Sequence, residues 1–332
     1  PGLACCIRRC WMPEEPAAAG FSFLAARVWP GAMRRYGIGD NGRAHRSPCF
    51  FDGKWRNVAS LMPELPEVET TRRGVREAIV GHAVTAFDLR EPRLRWRVEP
   101  QLAHELVGQH IHDVRRRAKY LLIDLDRGSL IAHLGMSGSL RVMPSGSPRL
   151  LHDHYDLVLD SGQCLRFNDP RRFGSLHWCT GPVEEHPLLM KLGPEPLEDG
   201  LTAELLATKA KRRKAAVKLF LMDQHVVVGV GNIYASEALF RAGVRPRRAA
   251  GRIKLVEWQR IVESIRQVLG EAILQGGTTL RDYVNADGTP GYFRQKLFVY
   301  ERAGEPCRRC RTPIRHLVQG QRSTYFCPVC QK

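Results

Sequence analysis

The chain has 332 residues, of which 43% are hydrophobic and 26% charged, a balance typical of a globular protein with roughly two domains. No uninterrupted apolar stretch reaches the roughly 18 residues that a membrane-spanning helix needs, which argues against a membrane protein. The formal net charge of +17 favours a polyanionic partner, because each Lys or Arg placed on a phosphate releases condensed counterions. A basic protein without such a partner is the alternative that charge alone leaves open.

Residues 1–61 differ in pattern from the rest of the chain, because they lack sustained periodicity and are interrupted by Gly and Pro. The acidic residues Glu14, Glu15, Asp40 and Asp52 argue against a transit peptide, and no hydrophobic region with a cleavage site indicates a secretory signal. We expect this segment to be a disordered or non-native N-terminal extension.

From Met62 onward the pattern predicts folded structure. Pro66 suits a first helical position and Glu67 and Glu69 suit a first turn, so a helix is expected there. Short β-branched or aromatic runs follow, and together they predict a β-sandwich. The runs lie at 84–87, 111–114, 120–125, 129–134, 139–142, 155–159 and 164–167.

The second half of the chain is predicted to be helical, after a Pro-, Gly- and Glu-rich linker. Helical periodicity is found at 201–210, 214–223, 232–242 and 255–275. Gly229-Val-Gly231 leads into the helix at Asn232, where free backbone N–H groups favour an anion, although Gly-x-Gly alone is weak evidence. The cationic run 209–218 is compatible with a solvated helix face or with phosphate binding.

Four cysteines near the C-terminus form two Cys-x-x-Cys pairs, and they are Cys307, Cys310, Cys327 and Cys330. This spacing predicts two knuckles that bind one tetrahedral Zn²⁺ on either side of a hairpin. The protein would fill all four coordination positions, so the metal would be structural. A redox dithiol or disulfides are the competing interpretations.

Seven motifs in order resemble formamidopyrimidine-DNA glycosylase from Met62 to Lys332. They are 62–69, 116–121, 133–138, 169–174, 229–237, 275–279 and the four-cysteine finger. The resemblance implies an α+β protein with an N-terminal β-sandwich domain, a helix–two-turn–helix domain and a C-terminal four-cysteine zinc finger. The implied divisions are the 1–61 extension, the 62–181 catalytic domain, the 182–200 linker, the 201–293 DNA-binding domain with a lesion loop, and the 294–332 finger.

The resemblance also implies a bifunctional DNA glycosylase and abasic-site lyase of base excision repair. Such an enzyme excises 8-oxoguanine and formamidopyrimidines from double-stranded DNA and then cleaves the strand by β,δ-elimination. Pro63 matches the amine nucleophile that forms a Schiff base, and Glu64 matches the general acid/base. Lys119 and Arg322 match the proton donors of β- and δ-elimination, which also contact phosphates.

Six further positions match the family's DNA contacts, and they are Met136, His154, Arg171, Phe173, Lys214 and Asn232. A base must leave the helix to be cut, and Met136, Arg171 and Phe173 resemble the wedge that fills the gap. Asn232 matches a family residue that clamps the phosphates around the flipped nucleotide. Residues 275–293 would form the loop that closes over the extruded base. Glu67 and Glu237 match carboxylates near the lesion pocket.

The position of Pro63 departs from the family's pattern, because in this sequence it is internal and its nitrogen is a tertiary amide. A free α-amine has a pKa of about 8, so the chemistry is accessible only at a chain terminus. Met62 directly precedes Pro63, and an initiator Met before Pro is readily removed. We therefore predict that residues 1–61 are a mis-assigned start or are removed.

Two other functions are considered beside this one. Endonuclease VIII, which acts on oxidised pyrimidines, shares Pro-Glu, the helical turn and the finger, but Leu65, the Arg171-Arg172-Phe173 run and Gln275-Gly-Gly277 favour the purine enzyme. A DNA-binding protein without catalysis is the alternative from a different class. The resemblance further points to a monomer in the bacterial cytoplasm, associated with the nucleoid through DNA, with no membrane partner.

Overall fold

The structure is a computed structural model that describes residues 63–277 and 297–332. The expectations for the 1–61 extension and for most of the 275–293 loop therefore lie outside the described residues. Among the helices in the described part of the chain, none is both long and apolar enough to cross a membrane.

The first half of the described chain folds into two four-stranded antiparallel sheets, as the sequence predicts. The strands are β1 (Val84–Leu89), β2 (Ile111–Arg117), β3 (Tyr120–Leu125), β4 (Gly128–His133), β5 (Ser139–Pro144), β6 (Asp153–Leu159), β7 (Gln163–Asn168) and β8 (Ser175–Cys179). One sheet has the order β1-β6-β7-β5 and the other the order β2-β3-β4-β8. β8 was not predicted, because its burial pattern shows no alternation and it pairs only with β4.

Helix α1 (Leu65–Ile79) precedes the sheets and packs against β2. The backbone N–H of Glu64 donates to the Glu67 side chain at 2.9 Å, which satisfies one donor at the helix start. Leu65, Val75 and Ile79 are fully buried and form the face that α1 turns to the core. The N-terminal residues are therefore held inside the fold.

The second half of the described chain is helical. Its helices are α3 (Ala203–Ala210), α4 (Val217–Leu221), α5 (Asn232–Arg241) and α6 (Leu255–Leu274), and a short α2 (Leu102–Leu106) lies earlier in the chain. The prediction of a helix over 214–223 was too long. Val217 N donates to Arg248 O at 2.7 Å and Ala250 N to Ala215 O at 2.8 Å, so this backbone pairs with a distant segment before the helix begins.

The zinc finger closes the chain with the hairpin of β9 (Arg315–Gln319) and β10 (Arg322–Phe326). Phe240 of α5 is buried among Val299, Ile314 and the finger cysteines. Lys332 N donates to Gly243 O at 3.0 Å, so the end of the chain is tied to the end of α5. The finger thereby packs directly on the helix that begins at Asn232.

A buried ion pair in the sandwich generates a stability prediction. The guanidinium group of Arg166 donates to both carboxylate oxygens of Asp156 at 2.9 Å, and the two side chains are only 4% and 5% exposed. Arg166→Ala should lower the free energy of unfolding by about 3 kcal/mol, because it leaves a buried carboxylate with less compensation.

The matched control is Arg149→Ala, which removes a side chain that is 61% exposed and paired with Asp88. Its effect should stay within about 0.5 kcal/mol, since exposed ion pairs contribute little. Urea unfolding followed by circular dichroism measures both values, and equal losses for the two variants would contradict the assignment.

Candidate active site

The carboxylate of Glu64 lies on the N-terminus of α5. It accepts hydrogen bonds from the backbone N–H of Gly231 at 2.8 Å and of Ile233 at 3.0 Å, and the residue is 3% exposed. Burial raises the pKa of Glu64 above its ordinary value, while Lys119 and these backbone donors oppose the increase. Glu64 is therefore protonated at a higher pH than an exposed glutamate, as a general acid requires.

Two glycines make room for this contact. A Cβ on Gly231 would fall on the carboxyl group of Glu64, and a Cβ on Gly229 would fall on the side chain of Leu65. Gly229 also has a φ of +75°, which side chains rarely adopt. The Gly-x-Gly pattern is weak evidence for an anion-binding site. In this structure its two glycines leave the space that Glu64 and Leu65 occupy at the start of α5.

Pro63 and Lys119 are buried, as Glu64 is. Pro63 is buried next to Glu64 in the chain, and Lys119 is 6% exposed in the turn between β2 and β3. Burial lowers the pKa of Lys119, while Glu64 and Glu67 oppose the decrease. A buried lysine with a lowered pKa releases its proton more easily than an exposed lysine, as a proton donor requires.

Lys218 was given no role from the sequence beyond its place in the cationic run, but it is fully buried at the centre of the site. Its Nζ donates to Asn232 Oδ1 at 2.6 Å, to Ser323 O at 2.8 Å and to Thr324 Oγ1 at 2.7 Å. Burial lowers the pKa of Lys218 to about 7. Lys218 thus links Asn232 to the finger hairpin. The exposed Arg322 is the first residue of the second strand of that hairpin.

The predicted wedge residues are assembled around Asp169, which is fully buried. Asp169 accepts hydrogen bonds from Ser137 Oγ at 2.6 Å and from the backbone N–H of Gly174 at 2.8 Å. These bonds join the loop of Met136, which is half-buried, to the loop of Phe173, which is 48% exposed. Phe173 is therefore available for stacking.

Three other predicted DNA contacts have different environments. Arg171 is exposed beside Phe173, and Lys214 is exposed before α4. His154 is 4% exposed, and its Nε2 lies 2.7 Å from the carbonyl oxygen of Asp169. In this structure His154 therefore contacts the backbone of the Asp169 loop, whereas the side chains of Arg171 and Lys214 are exposed to solvent.

The two glutamates assigned to the surroundings of the lesion pocket also differ. Glu67 accepts from the Tyr234 hydroxyl at 2.7 Å, within the buried cluster of Glu64. Glu237 accepts from the backbone N–H groups of Phe298, Val299 and Tyr300 at 2.8, 2.9 and 2.9 Å. Glu237 thus fixes the segment that leads into the finger.

The four finger cysteines fit a zinc ion. Their sulfur atoms all lie within 4.8 Å of one another, with Cys307 Sγ and Cys330 Sγ 3.9 Å apart and Cys310 Sγ and Cys327 Sγ 3.4 Å apart. Zn–S bonds of about 2.3 Å in a tetrahedron place sulfurs about 3.8 Å apart, close to this spacing. The protein supplies all four ligands, so the one zinc ion is structural.

Comparison with known families accounts for this combination of elements. Residues 62–176 match the formamidopyrimidine-DNA glycosylase N-terminal domain, residues 192–284 match the H2TH domain of the same enzyme, and residues 304–332 match the zinc finger found in FPG and IleRS. The chain belongs to the formamidopyrimidine-DNA glycosylase family. The interpretation as endonuclease VIII is not supported by these matches.

Individual relatives agree with the family assignment. The formamidopyrimidine-DNA glycosylase of Thioalkalivibrio sulfidiphilus is 59% identical over 271 residues, which are 82% of this chain and 100% of the relative. The MutM (Fpg) protein of Thermus thermophilus is 41% identical with a TM-score of 0.73, over 81% of this chain and 98% of that one. Lactococcus lactis Fpg in complex with DNA containing an abasic site is 33% identical with a TM-score of 0.76, over 81% and 99%.

The position of the Glu64 carboxylate on the N-terminus of α5 generates a functional prediction. Gly231→Ala should lower the base-excision rate about 100-fold, because it displaces Glu64, the expected general acid, and such a group contributes roughly 10²–10⁴-fold. The measurement is single-turnover excision with the protein that begins at Pro63 in excess over lesion-containing duplex.

The matched control is Gly270→Ala, in the middle of α6, where an added Cβ meets nothing within 4 Å. This variant should keep the parent rate and gain a little stability from the better helix former. If Gly231→Ala excised the base at the parent rate, excision would not depend on the position of Glu64 at the N-terminus of α5.

Proposed function

We propose that this chain is a bifunctional DNA glycosylase and abasic-site lyase of base excision repair that excises oxidised purines. The observation that carries the proposal is a buried Glu64 with a raised pKa, adjacent in the chain to Pro63 and close in space to Lys119. One acid, one amine and one lysine are the groups that base removal and strand cleavage through an iminium ion require.

The reaction begins at the amine nitrogen of Pro63, whose lone pair forms a bond to C1′ of the sugar. The bond from C1′ to the damaged base breaks, its electron pair leaves with the base, and the base takes up the proton that the Pro63 nitrogen releases. Glu64 donates its proton to the ring oxygen as the sugar opens, which leaves a positively charged iminium ion on C1′. Because Glu64 becomes an anion beside that cation, the intermediate is stabilised electrostatically.

The iminium ion then acidifies the sugar C2′–H bond, and loss of that proton expels the 3′ phosphate in β-elimination. A second elimination expels the 5′ phosphate and leaves a gap with phosphate ends. We assign Lys119 to proton donation in the first elimination and Arg322 to the second, each beside the phosphate that it contacts. Lys119 suits this assignment because burial lowers its pKa.

DNA binding is assigned to groups on both lobes. Asn232, held by Lys218 at 2.6 Å, and Arg322 would clamp the phosphates around the extruded nucleotide. Met136, Arg171 and Phe173 would fill the gap in the duplex, since the exposed aromatic and cation project from loops that Asp169 fixes. Solved relatives are complexes with abasic-site DNA and with DNA containing Fapy-dG, which supports this partner.

The domain limits, the oligomeric state and the cellular location are also part of the proposal. We assign 62–181 to the catalytic domain, 182–200 to the linker, 201–293 to the DNA-binding domain and 294–332 to the finger, because β8 ends at Cys179 and α3 begins at Ala203. A monomer suffices, since one chain supplies both lobes of the site. We place the protein in a bacterial cytoplasm, associated with the nucleoid through DNA, because its relatives are bacterial and its substrate is DNA.

The substrate class is tested by comparing two lesions in otherwise identical duplexes. Excision of 8-oxoguanine opposite cytosine should exceed excision of thymine glycol by more than about tenfold, a difference that base-specific hydrogen bonds readily supply. The protein used begins at Pro63, because only then is the amine free, and undamaged duplex is the control. The reverse preference would assign the chain to oxidised pyrimidines, and no excision of either lesion would favour a DNA-binding protein without catalysis.

The nucleophile is tested by changing the start of the chain. A protein that begins at Pro63, with 332 − 62 = 270 residues, should be trapped on abasic-site DNA by borohydride, because its amine is free. The same protein with one additional residue before Pro63 is the control and should not be trapped at that site. Equal trapping of both, with their N-termini verified by mass spectrometry, would rule out Pro63 as the nucleophile.

A further inference from the structure

The turn that carries Lys119 has an unfavourable backbone conformation. β2 ends at Arg117 and β3 begins at Tyr120, so Ala118 and Lys119 alone connect the strands. Ala118 has a φ of +55°, a region that residues with a Cβ rarely adopt. Such a conformation persists only where surrounding contacts hold it.

These contacts come from one carboxylate in the linker. Glu195 is 6% exposed, and its Oε1 accepts from the backbone N–H of Ala118 at 2.6 Å and from Arg117 at 2.9 Å. Its Oε2 accepts from Arg116 at 2.7 Å. Arg116 in turn donates to the carbonyl oxygen of Ala118 at 2.9 Å. The three residues that precede Lys119 are therefore all bonded to Glu195.

The linker around Glu195 is itself fixed to the segment that holds Glu64. Gly193 N donates to Gln224 O at 2.7 Å, and Val228 N donates to Pro194 O at 3.2 Å. The Gly229–Gly231 turn, which supplies a donor to Glu64, follows Val228 directly. Hydrogen bonds and short stretches of chain between them thus connect the hairpin of Lys119 with the backbone that binds Glu64.

We propose that Glu195 is a positioning residue that sets where Lys119 stands relative to Glu64 and Pro63. The inference rests on the proposed function and on the role of Lys119 within it. Glu195 is turned toward the hairpin and is nearly inaccessible to solvent, so its effect on the reaction passes through Lys119.

The test is Glu195→Gln in the protein that begins at Pro63. Glutamine keeps the size of the side chain but replaces one acceptor oxygen with an amide that faces N–H donors. The rate of strand cleavage at an abasic site should fall about tenfold under single-turnover conditions, as expected when a reacting group is misplaced, because Lys119 acts in the elimination that follows iminium formation. The affinity for the duplex should stay within about twofold, since no DNA contact is removed.

Two measurements separate this effect from general damage. Zinc content and thermal unfolding report whether the variant is folded, and Arg117→Gln, which removes one of the same bonds, replaces Glu195→Gln if it is not. Glu198→Gln is the matched control, because Glu198 lies in the same linker and is exposed. It should keep the parent rate.

A double-mutant cycle with Lys119→Met tests whether Glu195 acts through Lys119. If Glu195 acts through Lys119, Glu195→Gln slows the parent but changes nothing further in the Lys119→Met background. Equal losses in both backgrounds, or an unchanged rate in the parent, overturn the inference alone. Full activity of Lys119→Met overturns the role of Lys119 and the inference with it, whereas an inactive parent overturns the proposed function.

Discussion

The site depends on one contact, the burial of the Glu64 carboxylate on the N-terminus of α5. Glu64 belongs to the first residues of the described chain, whereas its donors Gly231 and Ile233 lie 167 and 169 residues later. Because a buried carboxylate without donors is unfavourable, this contact fixes the start of α1 against the helical lobe. The glycines on either side of Val230 are required by the same packing.

Burial gives the neighbouring groups their chemical character. Glu64 has a raised pKa and Lys119 a lowered pKa for the same reason, since both charges lose water, and each partly compensates the other. Lys218 shows the same effect with three acceptors around its Nζ. The net charge of +17 supplies a long-range attraction to DNA, whereas in the proposed mechanism Glu64 and Lys119 act on the reacting atoms.

The sequence predicts the parts of the fold that depend on local pattern. Seven strands, the helix that begins at Asn232, the long helix after Leu255 and the cysteine spacing are all local signals, and the structure confirms them. β8 and the true length of α4 were not predicted, because a distant strand and the backbone near Arg248 determine them. The likeness to a family supplied Pro63 and Lys119, which no periodicity distinguishes.

The contacts that escaped prediction have a common physical basis. Glu64, Glu195 and Glu237 each accept hydrogen bonds from backbone N–H groups of a distant segment, and Asp169 accepts one from Gly174 in its own loop. A carboxylate suits this purpose because its two oxygens accept several charge-assisted bonds at once. Read from the sequence alone, an acidic residue in a linker or loop indicates solvent exposure. Only the folded chain shows that such residues hold the turns that present Lys119, Phe173 and Asn232, and a site assembled this way keeps its geometry without covalent links between its distant parts.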